Sequence, residues 1–202
     1  MAIWRGDAPL VLASKSSARM GLLASAGIAF EAVPANIDER ALERRAAPAA
    51  PAEIALLLAR EKAHLVSQLK TGRYVVGADQ TLAVGDALFA KPSDRTEAGR
   101  QLHTLAGRVH ELHSAVAVAY DGEILFEEVS AARMTMRPLS GTEIAVYLEE
   151  AGERAVTSVG AYQLEGLGVH LFERVEGDHF TILGLPLIPL LKFLRSRQLL
   201  SI

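Results

Sequence analysis

A chain of 202 residues, half of them apolar, is long enough to bury a sizeable core, either as one large α/β domain or as two small ones. Its 21 basic and 24 acidic residues leave a net charge of −3, which argues against binding nucleic acid through a general positive field. With no cysteine, disulfides, thiolate metal sites and a cysteine nucleophile are all excluded.

In chain order, residues 10–13 (LVLA) read as a short strand ended by Ser14, and 18–24 (ARMGLLA) as a helix stopped by Gly27. Residues 28–33 alternate enough to form a second strand, Pro34 opens an irregular segment through NIDER, and 42–51, rich in Ala, Arg and Pro, reads as a mobile connection. Residues 54–69 repeat apolar side chains at helical spacing and predict a long amphipathic helix leading into the strand YVVGA at 74–78. Gly85-Asp86 marks a hairpin, Lys91-Pro92 follows its return strand, and 94–105 reads as a helix with Ser93 as N-cap and Gly107 as terminator. Asp121-Gly122 joins two strands at 112–120 and 124–137, and Ser140 with Glu143 has capping-box spacing before a helix at 144–150. A Gly-rich loop at 160–168, a strand at 169–174 and a helix at 187–195 complete the chain. The mixture predicts an α/β fold built on a mixed sheet, in two lobes with a central cleft.

No run of about twenty uncharged apolar residues is present, as a membrane span would need. The opening MAIWRGDAPLVLAS is interrupted by Asp7 and Pro9 and lacks the long apolar stretch of a secretory signal, so a cytoplasmic protein without a membrane partner is expected.

Polar clusters fall where loops leave the predicted strands: Ser14-Lys15-Ser16 with Arg19, Asp38-Glu39, Asp79-Gln80, and Lys91. Asp79 follows a buried strand, where it either caps a turn or does chemistry. Ser14 and Ser16 lie between strand and helix, where hydroxyls and free N–H groups make an anion site that Arg19 could clamp; the alternative is an N-cap beside a surface arginine. Lys62 and Lys91 are solvated charges unless they converge on a phosphate chain. Glu165 sits in GAYQLEGLG, whose glycines let a ligand approach the backbone or simply form a turn. The six histidines show no metal-ligand spacing and read as structural or surface residues, and Walker A, GxGxxG and GxSxG sequences do not occur.

Taken together, the stretch LVLASKSSARMGLLASAGIAFEAVPANIDE, EKA at 61–63, GADQ at 77–80, KP at 91–92, LAGRVHE at 105–111, GAYQLEGLG at 160–168 and GLPLIPLLKFLR at 184–195 resemble the Maf proteins in order and spacing. The resemblance covers nearly the whole chain. It implies a fold similar to that of the inosine-triphosphate pyrophosphatases. It also implies hydrolysis of a nucleoside triphosphate to monophosphate and pyrophosphate with Mg²⁺ or Mn²⁺, the metal ligands remaining unassigned, and a homodimer. Asp79 matches the family's proton acceptor, Glu39, Lys62 and Lys91 its other charged cleft residues, and Ser14, Ser16 and Arg19 its phosphate-binding loop.

Two departures bear on the substrate. Many members carry two consecutive arginines after the serine loop, and here the first position is Ala18. The branch acting on thymidine and uridine triphosphates usually has Thr after the Asp and Gln before GLG; this chain has Gln80 and Glu165, closer to the branch acting on 7-methyl-GTP, although that branch typically has an aromatic residue at the position of Ala18. Glu165 and Gln80 are therefore the expected readers of the base, because a carboxylate accepts hydrogen bonds from the N1–H and amine of a guanine. The alternatives are a dTTP/UTP pyrophosphatase, a nucleotide-binding regulator of septum formation with weak hydrolysis, or a plain interaction domain.

Overall fold

The computed structural model describes residues 3–46 and 49–202. Its strands are β1 (Leu10–Leu12), β2 (Phe30–Ala32), β3 (Tyr74–Val84), β4 (Ala87–Phe89), β5 (Val109–Tyr120), β6 (Glu123–Met136) and β7 (Phe172–Glu176). They form a mixed seven-stranded sheet of order β2-β1-β3-β5-β6-β7, with β4 paired to β3. β1 runs parallel to both β2 and β3, while the β3–β4 and β6–β7 pairs are antiparallel. The helices are α1 (Ser17–Ser25), α2 (Glu39–Ala46), α3 (Pro51–Leu69), α4 (Arg95–Leu105), α5 (Gly141–Ala151), α6 (His179–Ile182) and α7 (Leu187–Ser196). No described helix is long and apolar enough to cross a membrane.

The chain divides into two compact units. The first comprises the part up to Gln80, Ser114–Ser130 and His179–Ile202; the second comprises Thr81–His113 and Ala131–Asp178.

In the first unit, the period-two alternation of strands sorts side chains onto the two faces of the sheet. Leu10, Leu12, Val76, Ala78, Val116 and Val118 join one core with Leu23 of α1 and Leu190, Phe193 and Leu194 of α7. Val11, Ala13 and Val75 pack instead with Val66 of α3, and Ala115, Ala117 and Ala119 of β5 pack with Ala55, Ala59 and Ala63 of the same helix. This alanine seam lets α3 lie close to the sheet. At Gly77 the approach is so tight that a Cβ would overlap the Ala59 carbonyl oxygen and stand 2.9 Å from Ala63 Cβ.

In the second unit, Leu82, Leu102, Leu105, Met134 and Met136 are among the fully buried side chains. α4 starts one residue later than expected from Ser93: Asp94 is the N-cap, its Oδ1 accepting from Glu97 N at 2.8 Å, and Ser93 merely donates to that carboxylate. An anionic oxygen is the stronger acceptor for an orphan helix N–H. Ser140 and Glu143 form the expected capping box of α5.

Three further expectations change. The mobile connection is largely helical, because Asp38 Oδ1 caps Ala41 N at 2.9 Å and α2 then runs through strong helix formers, with Arg44 and Arg45 suiting its C-terminal dipole. Ala47 and Pro48, within that stretch, lie outside the described residues. α3 begins at Pro51, a residue well suited to a first helical position. Finally, the strand expected at 169–174 starts only at Phe172, since Leu167–Leu171 form a 3₁₀ turn.

Candidate active site

Asp79 does not follow a strand; it lies within one, buried in the middle of β3. Alternation along β3 puts Val75, Gly77 and Asp79 on the face covered by α3, and the close packing at Gly77 brings the next turn of that helix over Asp79. Lys62 occupies this position. It belongs to the buried stripe of α3 with Ala55, Leu58, Ala59 and Ala63, so its ammonium is aimed at the sheet rather than at solvent.

Lys62 Nζ lies 2.5 Å from Asp79 Oδ1 and 2.6 Å from Glu39 Oε1. Glu39 opens α2, and its side chain remains 49% exposed while those of Lys62 and Asp79 are almost fully covered. The result is one cation held between two carboxylates, one deep and one at the surface. A buried lysine with two such partners escapes the large penalty of an unpaired interior charge.

Glu43 lies one turn after Glu39 on α2, hence on the same face. Burial holds its carboxyl above the usual range, with the charges of Asp79 and Glu39 adding to the effect. Sequence reasoning missed it. The signal was the four-residue spacing of the two glutamates after a capping Asp38, hidden because the prolines drew the segment toward a loop.

The serine loop is bonded largely to itself. Ser16 caps α1, its Oγ accepting from Arg19 N at 3.4 Å; Ser14 Oγ accepts from Ser16 N at 3.2 Å and from Arg19 Nη1 at 3.3 Å. Arg19 then donates from Nε to Gly184 O at 2.7 Å and from Nη1 to Ala78 O at 2.8 Å. Burial pushes this guanidinium below its ordinary value, opposed by the charges of Asp79 and then Glu39. Arg19 therefore ties the start of α1 to the residue preceding Asp79 and to the α6–α7 turn, and two of its three nitrogens are engaged with protein oxygens.

Gln80 points to the sheet face opposite Asp79. Its Nε2 donates to Ser114 Oγ at 2.9 Å, Thr181 O at 3.1 Å and Ile182 O at 3.0 Å, joining β3 to β5 and α6. Lys91 is exposed just beyond β4, and Glu165 is exposed at the tip of the 160–168 loop; both belong to the second unit. Thus the structure brings Glu39, Lys62 and Asp79 into contact and sets Ser14, Ser16 and Arg19 beside them in the same unit.

Among the described residues, no group of three or more His, Asp and Glu side chains gathers in a way that could hold a metal ion. Asp79 and Glu39 are nevertheless hard oxygen donors of the kind that hold Mg²⁺ together with substrate phosphates rather than in an all-protein cage.

Comparison with known proteins gives a consistent result. The family model described as "Maf-like protein" matches residues 9–197. The chain is 61% identical over 202 residues to a protein of Bradyrhizobium diazoefficiens named nucleoside triphosphate pyrophosphatase, covering 100% of both chains. A protein of Rhodopseudomonas palustris with the same name is 62% identical, again over 100% of both. A Rhizobium meliloti protein named 7-methyl-GTP pyrophosphatase is 52% identical over 189 residues, covering 93% of this chain and 95% of its own length.

Proposed function

The chain belongs to the Maf-like protein family, and from that premise we propose that it is a nucleoside triphosphate pyrophosphatase whose working centre is the Glu39–Lys62–Asp79 cluster. Hydrolysis at the α-phosphorus forms a bond from a water oxygen to that phosphorus and breaks the bond from phosphorus to the oxygen bridging the β-phosphate. Nucleoside monophosphate and pyrophosphate leave. The attacking water must give up a proton, and a carboxylate held rigidly in place can orient it and take that proton.

Asp79 suits the task because it sits mid-strand and is fixed through Oδ1 by Lys62. Glu39, half exposed at the start of α2, contributes a second oxygen to hold water or metal. Lys62 sets the spacing of the two carboxylates and offsets their mutual repulsion. A bound Mg²⁺ or Mn²⁺, held by Asp79 and Glu39, would supply neutralisation of the phosphate chain, which carries about four negative charges. Lys91 is assigned the same electrostatic role, and Ser14 and Ser16 a place beside the phosphates. Arg19 serves as the brace that holds this loop against β3.

For the base, the reading is a guanine-type nucleotide, 7-methyl-GTP first among them. Glu165 can accept hydrogen bonds from the guanine edge, its charge favours a cationic methylated purine, and exposed Leu167 and Val169 nearby offer apolar surface to a methyl group. Gln80 is the second proposed reader of the base; its Nε2 is engaged by Ser114, Thr181 and Ile182, so it would act through its Oε1. A cytoplasmic location fits a substrate drawn from the nucleotide pool.

The observation that carries the proposal is the double contact of Lys62 with two carboxylates in a chain of this family. The test is a panel of 7-methyl-GTP, GTP, UTP and dTTP with Mg²⁺ or Mn²⁺, scored by monophosphate and pyrophosphate release. Equimolar release of the two, fastest with 7-methyl-GTP, is expected; release of orthophosphate instead would refute the reaction assigned.

A further inference from the structure

The loop that carries Glu165 is held by a network outside the catalytic cluster. Its first residues adopt a conformation that side chains resist: Gly160 has φ 77° and Ala161 φ 62°, two successive left-handed residues of which only the first is glycine. Such a turn persists only where neighbours over-determine it.

Two tyrosines do so here. Tyr147 of α5 donates its hydroxyl to Ala161 O at 3.1 Å, and the Tyr162 hydroxyl lies 2.8 Å from His110 Nε2 on β5. All three side chains are buried, and Phe172 packs beside both His110 and Tyr162, with ring centroids at 5.8 and 4.8 Å. Burial raises the Tyr147 phenol to about 12 and lowers the His110 imidazole to about 4, so near neutral pH the phenol keeps its proton and the ring stays neutral. Among the described residues His110 Nδ1 is buried without a partner, which leaves the bond to Tyr162 as the ring's one hydrogen bond to them.

Beyond this anchor the chain folds back on itself. Gln163 donates from Nε2 to Thr157 Oγ1 at 2.9 Å, and its carbonyl accepts from Gly166 N at 3.2 Å. Gly168 then closes the loop so tightly that a Cβ there would overlap the Gln163 oxygen. Glu165 is thus displayed at the tip of a turn whose base is fixed at Ala161, Tyr162 and Gln163.

We propose that His110 and Tyr162, with the strained Ala161 between Tyr162 and Gly160, are positioning residues that set nucleobase selectivity by fixing where Glu165 stands. The inference rests on Glu165 being the reader of the base. A carboxylate discriminates between bases only if it is held in place, because a mobile one can follow whichever donor the base presents. Tyr162→Phe keeps the ring and its packing but removes the hydroxyl, leaving both His110 nitrogens unpaired and the turn free to relax. Ala161→Gly removes the steric resistance to φ 62° and admits alternative backbone states without touching the aromatic cluster.

The test measures kcat/KM for 7-methyl-GTP and for UTP in the wild type, Tyr162→Phe, Ala161→Gly and Glu165→Gln, with amide hydrogen exchange over 163–168 in each. In both positioning variants the 7-methyl-GTP to UTP ratio should fall by about fivefold or more, as loss of one buried hydrogen bond allows, through KM more than kcat. Exchange over 163–168 should quicken together with that loss. If Glu165→Gln lowers the ratio while Tyr162→Phe and Ala161→Gly leave both ratio and exchange unchanged, the positioning role is wrong and the base reader stands. If Glu165→Gln leaves the ratio unchanged, the base assignment fails and this inference fails with it. Should Tyr162→Phe not fold, Ala161→Gly decides alone.

Discussion

Gly77 of β3 and Ala59 of α3 meet with no space for even a methyl group between them, and this contact seats Lys62 over Asp79. The two residues carry no chemistry of their own, yet they set the distance on which the ion-paired cluster depends.

A methyl group is therefore expected to damage the site from a distance. Gly77→Ala must push α3 away from the sheet or bend β3, at a cost of about 1–3 kcal/mol or more for overpacking. Activity should fall further than stability, because the Lys62 to Asp79 contact opens. Parallel thermal melts and turnover assays check this; a variant with a wild-type melting temperature and turnover would show that the contact is not needed.

Removing the cation between the carboxylates should leave two like charges facing each other. Lys62→Met is expected to lower stability by about 3 kcal/mol, the scale for breaking a buried pair from one side. For a protein of this size that corresponds to a fall of roughly 6–12 °C in Tm. Added Mg²⁺ should raise the variant's Tm more than that of the wild type, since it can then take the place of the lost ammonium between the two carboxylates. An equal response in both proteins would mean that Asp79 and Glu39 do not form a cation site.

Glu43 offers a pH signature. Its carboxyl is held above the usual range, so as pH rises the unfolded chain releases this proton before the folded one does. The folded state loses stability through that interval, from the ordinary carboxylate value upward to the raised one. Glu43→Gln should remove this loss, so the stability difference between variant and wild type grows as pH is raised from 4 to 7. A difference independent of pH, measured by denaturant titration, would contradict the burial of this carboxyl.

His110 gives the opposite slope. Its folded value of about 4 lies below the ordinary 6.5, so between these pH values the unfolded chain binds a proton that the folded chain refuses. Stability is complete above 6.5 and declines as pH falls toward 4, by at most roughly 3 kcal/mol. Tm measured at pH 7, 6, 5 and 4 should drop more steeply for the wild type than for His110→Gln. Parallel curves would place the titration elsewhere.

Much of this architecture was legible in the residues. The strand-loop-helix at 10–25, the long helix into YVVGADQ, the Asp121-Gly122 hairpin and the Ser140 capping box all rest on local patterns that the fold respects. Lys62 was harder to read. It lies on the apolar stripe of α3, where a lysine signals a buried partner, but that partner is fixed by a helix-on-sheet contact seventeen residues away at Asp79. Arg19 likewise carried a clear polar signal, yet its partners Ala78 O and Gly184 O are backbone atoms that sequence does not mark. His110 reads from sequence, like the other histidines, as a structural or surface residue, and its pairing with Tyr162 across 52 positions is visible only in the folded chain.

The most direct test of the account is pyrophosphate release by Asp79→Asn. Asparagine preserves the shape at this position and leaves Lys62 paired with Glu39, so a folded protein that still binds nucleotide is expected. Turnover should drop by ~10²-fold or more, as loss of a general base requires. Turnover within a few-fold of wild type would contradict the assignment of Asp79 as the proton acceptor and, with it, the working centre described here.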